Sequence, residues 1–374
     1  MNEEQQHDTP APVSDRLDRF INRVIKGSPG KKKEKSPVSW LDTFTNRVGI
    51  DLGTATTVVY VDKQGIILRE PTLVAVNTQT DQVVSIGKKA RIMTGRTPNH
   101  IKVVQPIRQG VIDDYEVTEQ LFEHIFRKVQ ETSPKILGPV VTVGIPCKTS
   151  QTEINAVRDA AMDAGARRVH IVYEPFAAAV GMDLDLDDDE AFMVIDVGGG
   201  TSDTMIFAGG EVVASDSIRI AGDAFDEAIA EGLREKKRLV VGSRVSEDLK
   251  IAVMQATEEQ KAFRVPGRNS ENGLPLDVEV SFSEVISYIT PRMEQIAGHI
   301  RTFVERSSPE VLVDLKQNGI YFVGGGPAIY TFSKKIEEVI NLKVTVPENP
   351  TVVVAKGTAM IAKHADRYQH YFLS

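Results

Sequence analysis

Apolar residues along most of this chain come in short continuous runs, and these alternate with longer stretches of helical periodicity. Val140 to Ile145 is such a run. It is followed by a helical pattern from Thr152 to Ala164, which Gly165 stops. Short runs of this kind predict strands, and their alternation with amphipathic helices predicts an α/β fold of sheets covered by helices. Phe122, Ile125 and Phe126 fall on one helical face and are expected to point into a core.

The first 46 residues follow a different pattern. Leu17, Phe20, Ile21, Val24 and Ile25 form one apolar helical stripe, with Ser14 placed as an N-cap and Gly27 as a stop. The segment from 14 to 35 carries eight Lys or Arg against three acids, a surplus of five positive charges. A short basic amphipathic helix suits the interface of an anionic membrane, because apolar burial and nearby cations both contribute. Docking on the body or on a partner is the competing reading. Gly27-Ser28-Pro29-Gly30 and the lysines after it read as a solvated linker, so residues 1–46 are expected to be an appendage. Trp40 to Val48 loosely echoes Leu17 to Val24.

Composition narrows the classes. The chain has 374 residues, enough for two lobes, and no apolar stretch reaches the roughly 18 residues that span a bilayer. The N-terminus lacks the apolar core of a secretory signal, so a cytosolic protein is expected. Cys147 is the single cysteine, which rules out an intrachain disulfide. A net charge of -8 argues against a dedicated nucleic-acid binder. The histidines show no metal-ligand spacing, and the acidic run Asp183 to Glu190 lacks the glycine of a calcium loop, so it reads as solvated.

The candidate chemistry lies in a repeated unit. Val48 to Tyr60 reads as two strands joined by a turn of small residues, Asp51-Leu52-Gly53-Thr54-Ala55-Thr56. Met193 to Phe207 repeats it with Asp196-Val197-Gly198-Gly199-Gly200-Thr201. Thr56 and Thr201 each stand five residues after their aspartate, which implies an internal duplication. One glycine hairpin alone would be an ordinary tight turn. Two with matched Asp and Thr suggest a clamp, because glycine lets backbone N–H groups approach phosphate oxygens closely. Asp51 and Asp196 cannot meet phosphate without repulsion, but they can hold Mg²⁺ or its waters.

These hairpins resemble the two phosphate motifs of the superfamily that contains actin, the sugar kinases and the seventy-kilodalton heat-shock chaperones. Gly95 to Pro98, Pro106 to Tyr115, Glu174 to Gly181 and Arg219 to Ile229 resemble the MreB family of bacterial actins segment by segment. The likeness runs from about residue 48 to 365 and leaves out the basic tail. It implies an actin-like two-lobed α/β fold with a duplicated ATPase core and inserted subdomains. Lobe I would span 47–194 and lobe II 195–366, with an insertion near 231–309, a final helix returning to lobe I and a tail at 367–374.

Site residues carry over by position. The resemblance implies that Glu174 orients the attacking water, that Thr201 lies beside the γ-phosphate and that Asp196 joins them in catalysis. Thr54, Ala55, Thr56 and Gly198 to Thr201 (Gly198, Gly199, Gly200, Thr201) would contact phosphate. Glu247-Asp248-Leu249-Lys250 matches a Glu-x-x-Lys that brackets adenine and ribose from one helical face. Gly324-Gly325-Gly326-Pro327 resembles the adenosine motif, with proline where the family usually has alanine. The implied cofactors are ATP and Mg²⁺. The implied partners are further copies in a filament, an anionic membrane surface, and membrane-bound wall-synthesis or scaffold proteins, at the inner face of the cytoplasmic membrane. A specialised filament of the MamK or plasmid-segregation type, and a small-molecule kinase, are the alternatives. The fold alone does not choose among them.

Overall fold

The computed structural model describes residues 44–256 and 262–374. The amphipathic segment at 14–27 lies outside the described residues.

The body opens with an antiparallel meander, β1 (Arg47–Leu52), β2 (Thr56–Val61) and β3 (Gly65–Pro71). A small unit is inserted next: β4 (Val74–Asn77), β5 (Gln82–Ile86), helix α1 (Lys88–Met93) and β6 (Ile101–Val104), with β4 central to its three strands. A two-stranded hairpin, β7 (Ile107–Arg108) and β8 (Val111–Ile112), leads into α2 (Tyr115–Thr132). The chain continues through β9 (Val140–Ile145), α3 (Gln151–Asp163), β10 (Arg168–Tyr173) and α4 (Glu174–Gly181). Helix α3 starts where the sequence predicts, because Ser150 and Glu153 form a reciprocal capping box.

The second half repeats the plan. A meander of β11 (Phe192–Val197), β12 (Ser202–Ala208) and β13 (Glu211–Ile218) is followed by α5 (Gly222–Lys237). The insertion comprises β14 (Leu239–Val240), α6 (Ser243–Gln255), β15 (Ala262–Asn269) and β16 (Pro275–Ser281). The long α7 (Phe282–Glu305), α8 (Pro309–Asn318), β17 (Ile320–Gly324), α9 (Tyr330–Ile340), β18 (Val344–Thr345), α10 (Val353–Lys363) and α11 (Ala365–Tyr368) complete the chain.

The two five-stranded sheets have the same topology. One runs β10-β9-β1-β2-β3 and the other β18-β17-β11-β12-β13, in each case a meander with two parallel strands added on its first edge. The register is shared as well: Asp51 pairs with Val58 and Asp196 with Asp203, each seven residues on. An equal distance from aspartate to partner in both hairpins is what the matched threonines imply.

Four boundaries differ from the sequence reading. The second insertion runs from β14 to β16, 239–281, instead of about 231–309, because the flanking helices α5 and α7 pack in the lobe II core. Residues 44–46 belong to the body, because the Leu137 amide donates to the Phe44 carbonyl at 3.0 Å and the Asn46 side chain donates to the Ser133 carbonyl at 2.6 Å. The second sheet begins at Phe192, so a boundary at 194 would cut β11. Residue 366 lies inside α11, and the segment after it is bound to the body: Tyr371 stacks on Phe176 at 4.1 Å, and the Leu373 amide donates to Ile171 of β10 at 2.9 Å. Helix α10 packs on β1 and α4, and Arg47 of β1 donates to the Ala362 and Lys363 carbonyls at its C-terminal end.

Candidate nucleotide site

The two glycine turns meet between the lobes. A Cβ added at Gly199 would stand 2.7 Å from the Ala55 Cβ, and one at Gly200 would stand 2.6 Å from the Thr54 hydroxyl oxygen. Only residues without side chains permit this approach. The Thr54 hydroxyl, itself buried, accepts from the Gly110 amide at 2.9 Å, and its carbonyl accepts from the Gln105 side chain at 2.8 Å. The turn is therefore fixed by the β7–β8 hairpin rather than left free. In the second turn the Gly198 amide donates to the Thr201 carbonyl at 3.0 Å, which closes the loop.

Carboxylates gather beside these turns. Asp51 is the penultimate residue of β1 and Asp196 that of β11, Glu174 opens α4 and Asp203 lies on β12. Burial pushes Asp51 and Asp203 each up to about 7, with Thr201 and Ser217 hydroxyls and the Cys147 amide opposing the rise at Asp203. Burial first, then the neighbouring carboxylates, hold Glu174 and Asp196 well above their ordinary range. A cluster of mutually repelling acids is stabilised by a cation or by protons. Among the described residues no three His, Cys, Asp or Glu side chains converge to hold an ion unaided. That donor set fits magnesium, which keeps most of its waters and takes one or two carboxylates beside a phosphate.

Asp203 was not singled out from the sequence. Its Oδ1 accepts from the Cys147 amide at 2.7 Å, so it ties the loop after β9 in lobe I to β12 in lobe II. The Ser217 and Thr201 hydroxyls stand near this carboxyl, but neither meets its buried Oδ2 in hydrogen-bond geometry. The legible signal was its place opposite Asp196 in a hairpin whose register the turn already dictated.

The remaining expected residues separate. Glu247 lines the inter-lobe cleft of about 840 Å³, together with Ala55 and Gly200. Lys250 shares its helical face, as the spacing requires, and its Nζ donates to Asp226 at 2.6 Å and to the Gly222 carbonyl at 2.9 Å beside the second turn. Asp248 turns to Arg91 at 2.6 Å. Leu249 packs in the lobe II core, so its side chain is withdrawn from the cleft, a correction to its expected binding role. Gly324 reaches the cluster, since a Cβ there would stand 2.3 Å from Asp196 Oδ1. Gly326 and Pro327 form a short 3₁₀ turn after it, and Gly325 donates to the Val197 carbonyl at 2.8 Å. Thr56 opens β2, where its carbonyl crowds Gly53.

Comparison with known proteins agrees with this architecture. The profile of the family described as MreB/Mbl protein matches residues 45–370. The chain belongs to the MreB/Mbl family. The cell shape-determining protein Mbl of Bacillus cereus is 33% identical over 326 residues, covering 87% of this chain and 98% of that protein. The cell shape-determining protein MreB of Escherichia coli K12 is 34% identical over 320 residues, covering 84% and 92%. The crystal structure of MreB5 of Spiroplasma citri bound to ADP superposes with a TM-score of 0.81 at 29% identity, covering 87% of this chain and 98% of that one. The same relative has been solved bound to AMPPNP. A MamK double helical filament shares the fold, with a TM-score of 0.69 at 21% identity. As an MreB/Mbl member the chain is an actin-like protein whose named relatives determine cell shape. No described helix is long and apolar enough to cross a membrane.

Proposed function

We propose that this MreB/Mbl protein binds Mg-ATP between its lobes, hydrolyses it, and assembles into filaments that lie on a membrane and organise cell shape and wall synthesis. The observation that carries the reading is the pair of register-matched glycine hairpins facing each other beside four neighbouring carboxylates, of which Asp196 and Asp203 are buried and Asp51 and Glu174 partly so. ATP would supply the polyphosphate that the hairpin amides clamp, and magnesium would join that phosphate to Asp51 and Asp196 through water, which offsets the repulsion within the cluster.

Glu174 suits the orientation of an attacking water, because it opens a helix at the cluster and is held by packing, its Cγ 3.3 Å from where a Gly144 side chain would start. Burial and the neighbouring carboxylates raise its affinity for protons in the cluster alone, and a cation entering there would favour the ionised form that a base requires. Thr201 is buried in the turn between Asp196 and Asp203, where its hydroxyl can face a terminal phosphate. Lys250 is committed to Asp226 and the Gly222 carbonyl and so braces the second turn. The ADP- and AMPPNP-bound MreB5 structures support nucleotide binding here, and the filament of MamK supports self-association for the fold.

The test combines electron microscopy with phosphate release. Full-length protein with Mg-ATP is expected to form filaments, paired on anionic liposomes, and Glu174→Gln is expected to bind ATP while releasing phosphate at least about tenfold more slowly. Removal of residues 1–43, which leaves the bonded residues 44–46 in place, is expected to reduce liposome co-sedimentation. Dispersed particles at every salt and protein concentration, with phosphate transferred to a small acceptor instead, would overturn the filament reading in favour of a kinase.

A further inference from the structure

The contacts between the lobes differ in kind from floor to mouth, and ion pairs also join the lobes at Lys148–Asp216 and, at 3.6 Å, Arg219–Glu153. At the floor, the Cys147 amide meets a fully buried Asp203, beside glycine turns in van der Waals contact. At the mouth, the contact is ionic and partly open to solvent. Arg91 of α1, in the lobe I insertion, grips Glu247 of α6 with a two-pronged fork: Nη1 lies 3.2 Å from Oε1 and Nη2 lies 3.1 Å from Oε2. The same Nη2 lies 2.6 Å from Asp248 Oδ1.

Arg244 completes the network from the other side. Its Nη1 lies 3.5 Å from the Arg91 carbonyl and 3.4 Å from that of Ile92, in the last turn of α1, where helix carbonyls carry partial negative charge. Its Nε stands 3.6 Å from Asp248 Oδ2. Two arginines and two carboxylates thus join the two inserted units across the cleft. Side-chain exposure is 21% at Arg91 and 28% at Glu247 but 53% at Asp248, so water and salt reach this network. Exposed ion pairs are individually weak and screened. Parting the mouth would cost screened ion pairs, whereas parting the floor would strand the buried hydrogen bond from the Cys147 amide to Asp203.

The network also lands on the one residue of Glu247 to Lys250 that lines the cleft. A carboxylate has about four acceptor positions, so a fork that occupies two of them leaves lone pairs for ribose hydroxyls. We infer that Arg91 is a positioning residue for Glu247 and the latch of the cleft, so that nucleotide leaves by rupture of the Arg91–Glu247–Asp248–Arg244 network. The inference rests on the nucleotide-binding reading above.

Two measurements on the full chain test it. In the first, release of a fluorescent ATP analogue is followed by stopped flow at low and high potassium chloride. The native protein should release faster at high salt. Arg91→Ala should release about fivefold faster at low salt and lose most of the salt dependence, with Arg91→Lys between them because it keeps the charge but not the fork. In the second, spin labels at Lys89→Cys and Glu235→Cys, both exposed positions, report the distance between lobes without nucleotide, with Cys147 buried and unlabelled. The distance should lengthen and broaden in Arg91→Ala. Equal release rates and salt slopes with an unchanged distance would overturn the latch. Absence of analogue binding in every protein would sink the nucleotide reading, and the distance measurement would then decide the latch alone.

Discussion

Gly181 and Gly357 meet where α4 crosses α10, and neither position has room for a side chain. A Cβ at Gly357 would stand 1.7 Å from the Ala177 carbonyl oxygen, and one at Gly181 would stand 2.0 Å from that of Val353. The obstacles are backbone atoms, which cannot rotate away as a flexible side chain could. Helix α4 opens on Glu174, so this crossing sets the height of that carboxylate over the cluster. Gly357→Ala is expected to destabilise the protein by about 3 kcal/mol, the upper end for overpacking, as read by urea denaturation. It should also slow phosphate release. A denaturation midpoint equal to that of the native protein would mean that the helices slide apart freely.

Gly199 predicts a different outcome, because it faces the cleft rather than a helix pair. A methyl group there would press on Ala55, 2.7 Å from its Cβ and 2.9 Å from its amide nitrogen, and would spread the two turns. Gly199→Ala is expected to weaken ATP binding more than about tenfold, or roughly 1.4 kcal/mol. The unfolding midpoint should move little, since the turn lies between lobes and not within either core. Fluorescence titration alongside thermal unfolding separates the two effects. A large drop in stability with unchanged affinity would place the glycine in folding rather than binding.

What could be read beforehand divides along physical lines. The hairpins were legible because small residues, aspartate and threonine at fixed offsets determine a turn locally, and the register shared by Asp51–Val58 and Asp196–Asp203 follows from the same offsets. Helix α3 was legible for the same reason, its cap and glycine stop being adjacent in sequence. Leu249 shows where the reading ran out: a four-residue motif names a helix turn but not which of its residues faces the core. Arg91 and Glu247 lie far apart along the chain, and no periodicity records that pairing. The segment after 366 looked like a tail for the same reason, since Tyr371 and Leu373 find their partners at Phe176 and Ile171.

Arg47 tests the return of the chain to its first strand. Its Nη1 donates to the Ala362 carbonyl at 2.7 Å and to the Lys363 carbonyl at 2.9 Å. These are terminal acceptors of α10, with no partner later in the helix, and a cation there also interacts favourably with the negative end of the helix dipole. Arg47→Met keeps most of the aliphatic stem and removes both bonds. The expected loss is about 1 to 2 kcal/mol by urea denaturation, less at high salt because part of it is electrostatic. A loss that salt does not change would assign the effect to packing of the stem.

His170 gives the pH dependence its sign. It lies on β10 under the C-terminal segment, its ring 4.3 Å from that of Phe372, and its Nε2 is buried without a hydrogen-bond partner among the described residues. Burial, and then the positive charges of Arg168 and Arg47, push its pKa down to about 4 from 6.5. The unfolded chain therefore takes up a proton near pH 6.5 that the folded chain refuses until about 4. Stability falls as pH drops through that window, and above it the histidine is neutral in both states. His170→Phe should therefore gain on the native protein at pH 5 relative to pH 7.5, a difference that cancels the other titrating groups. Phe372→Ala should reduce the same acid sensitivity by another route: water reaches the ring, the histidine's NMR titration moves back toward 6.5, and the pH dependence attributable to His170 shrinks even though the side chain is still present.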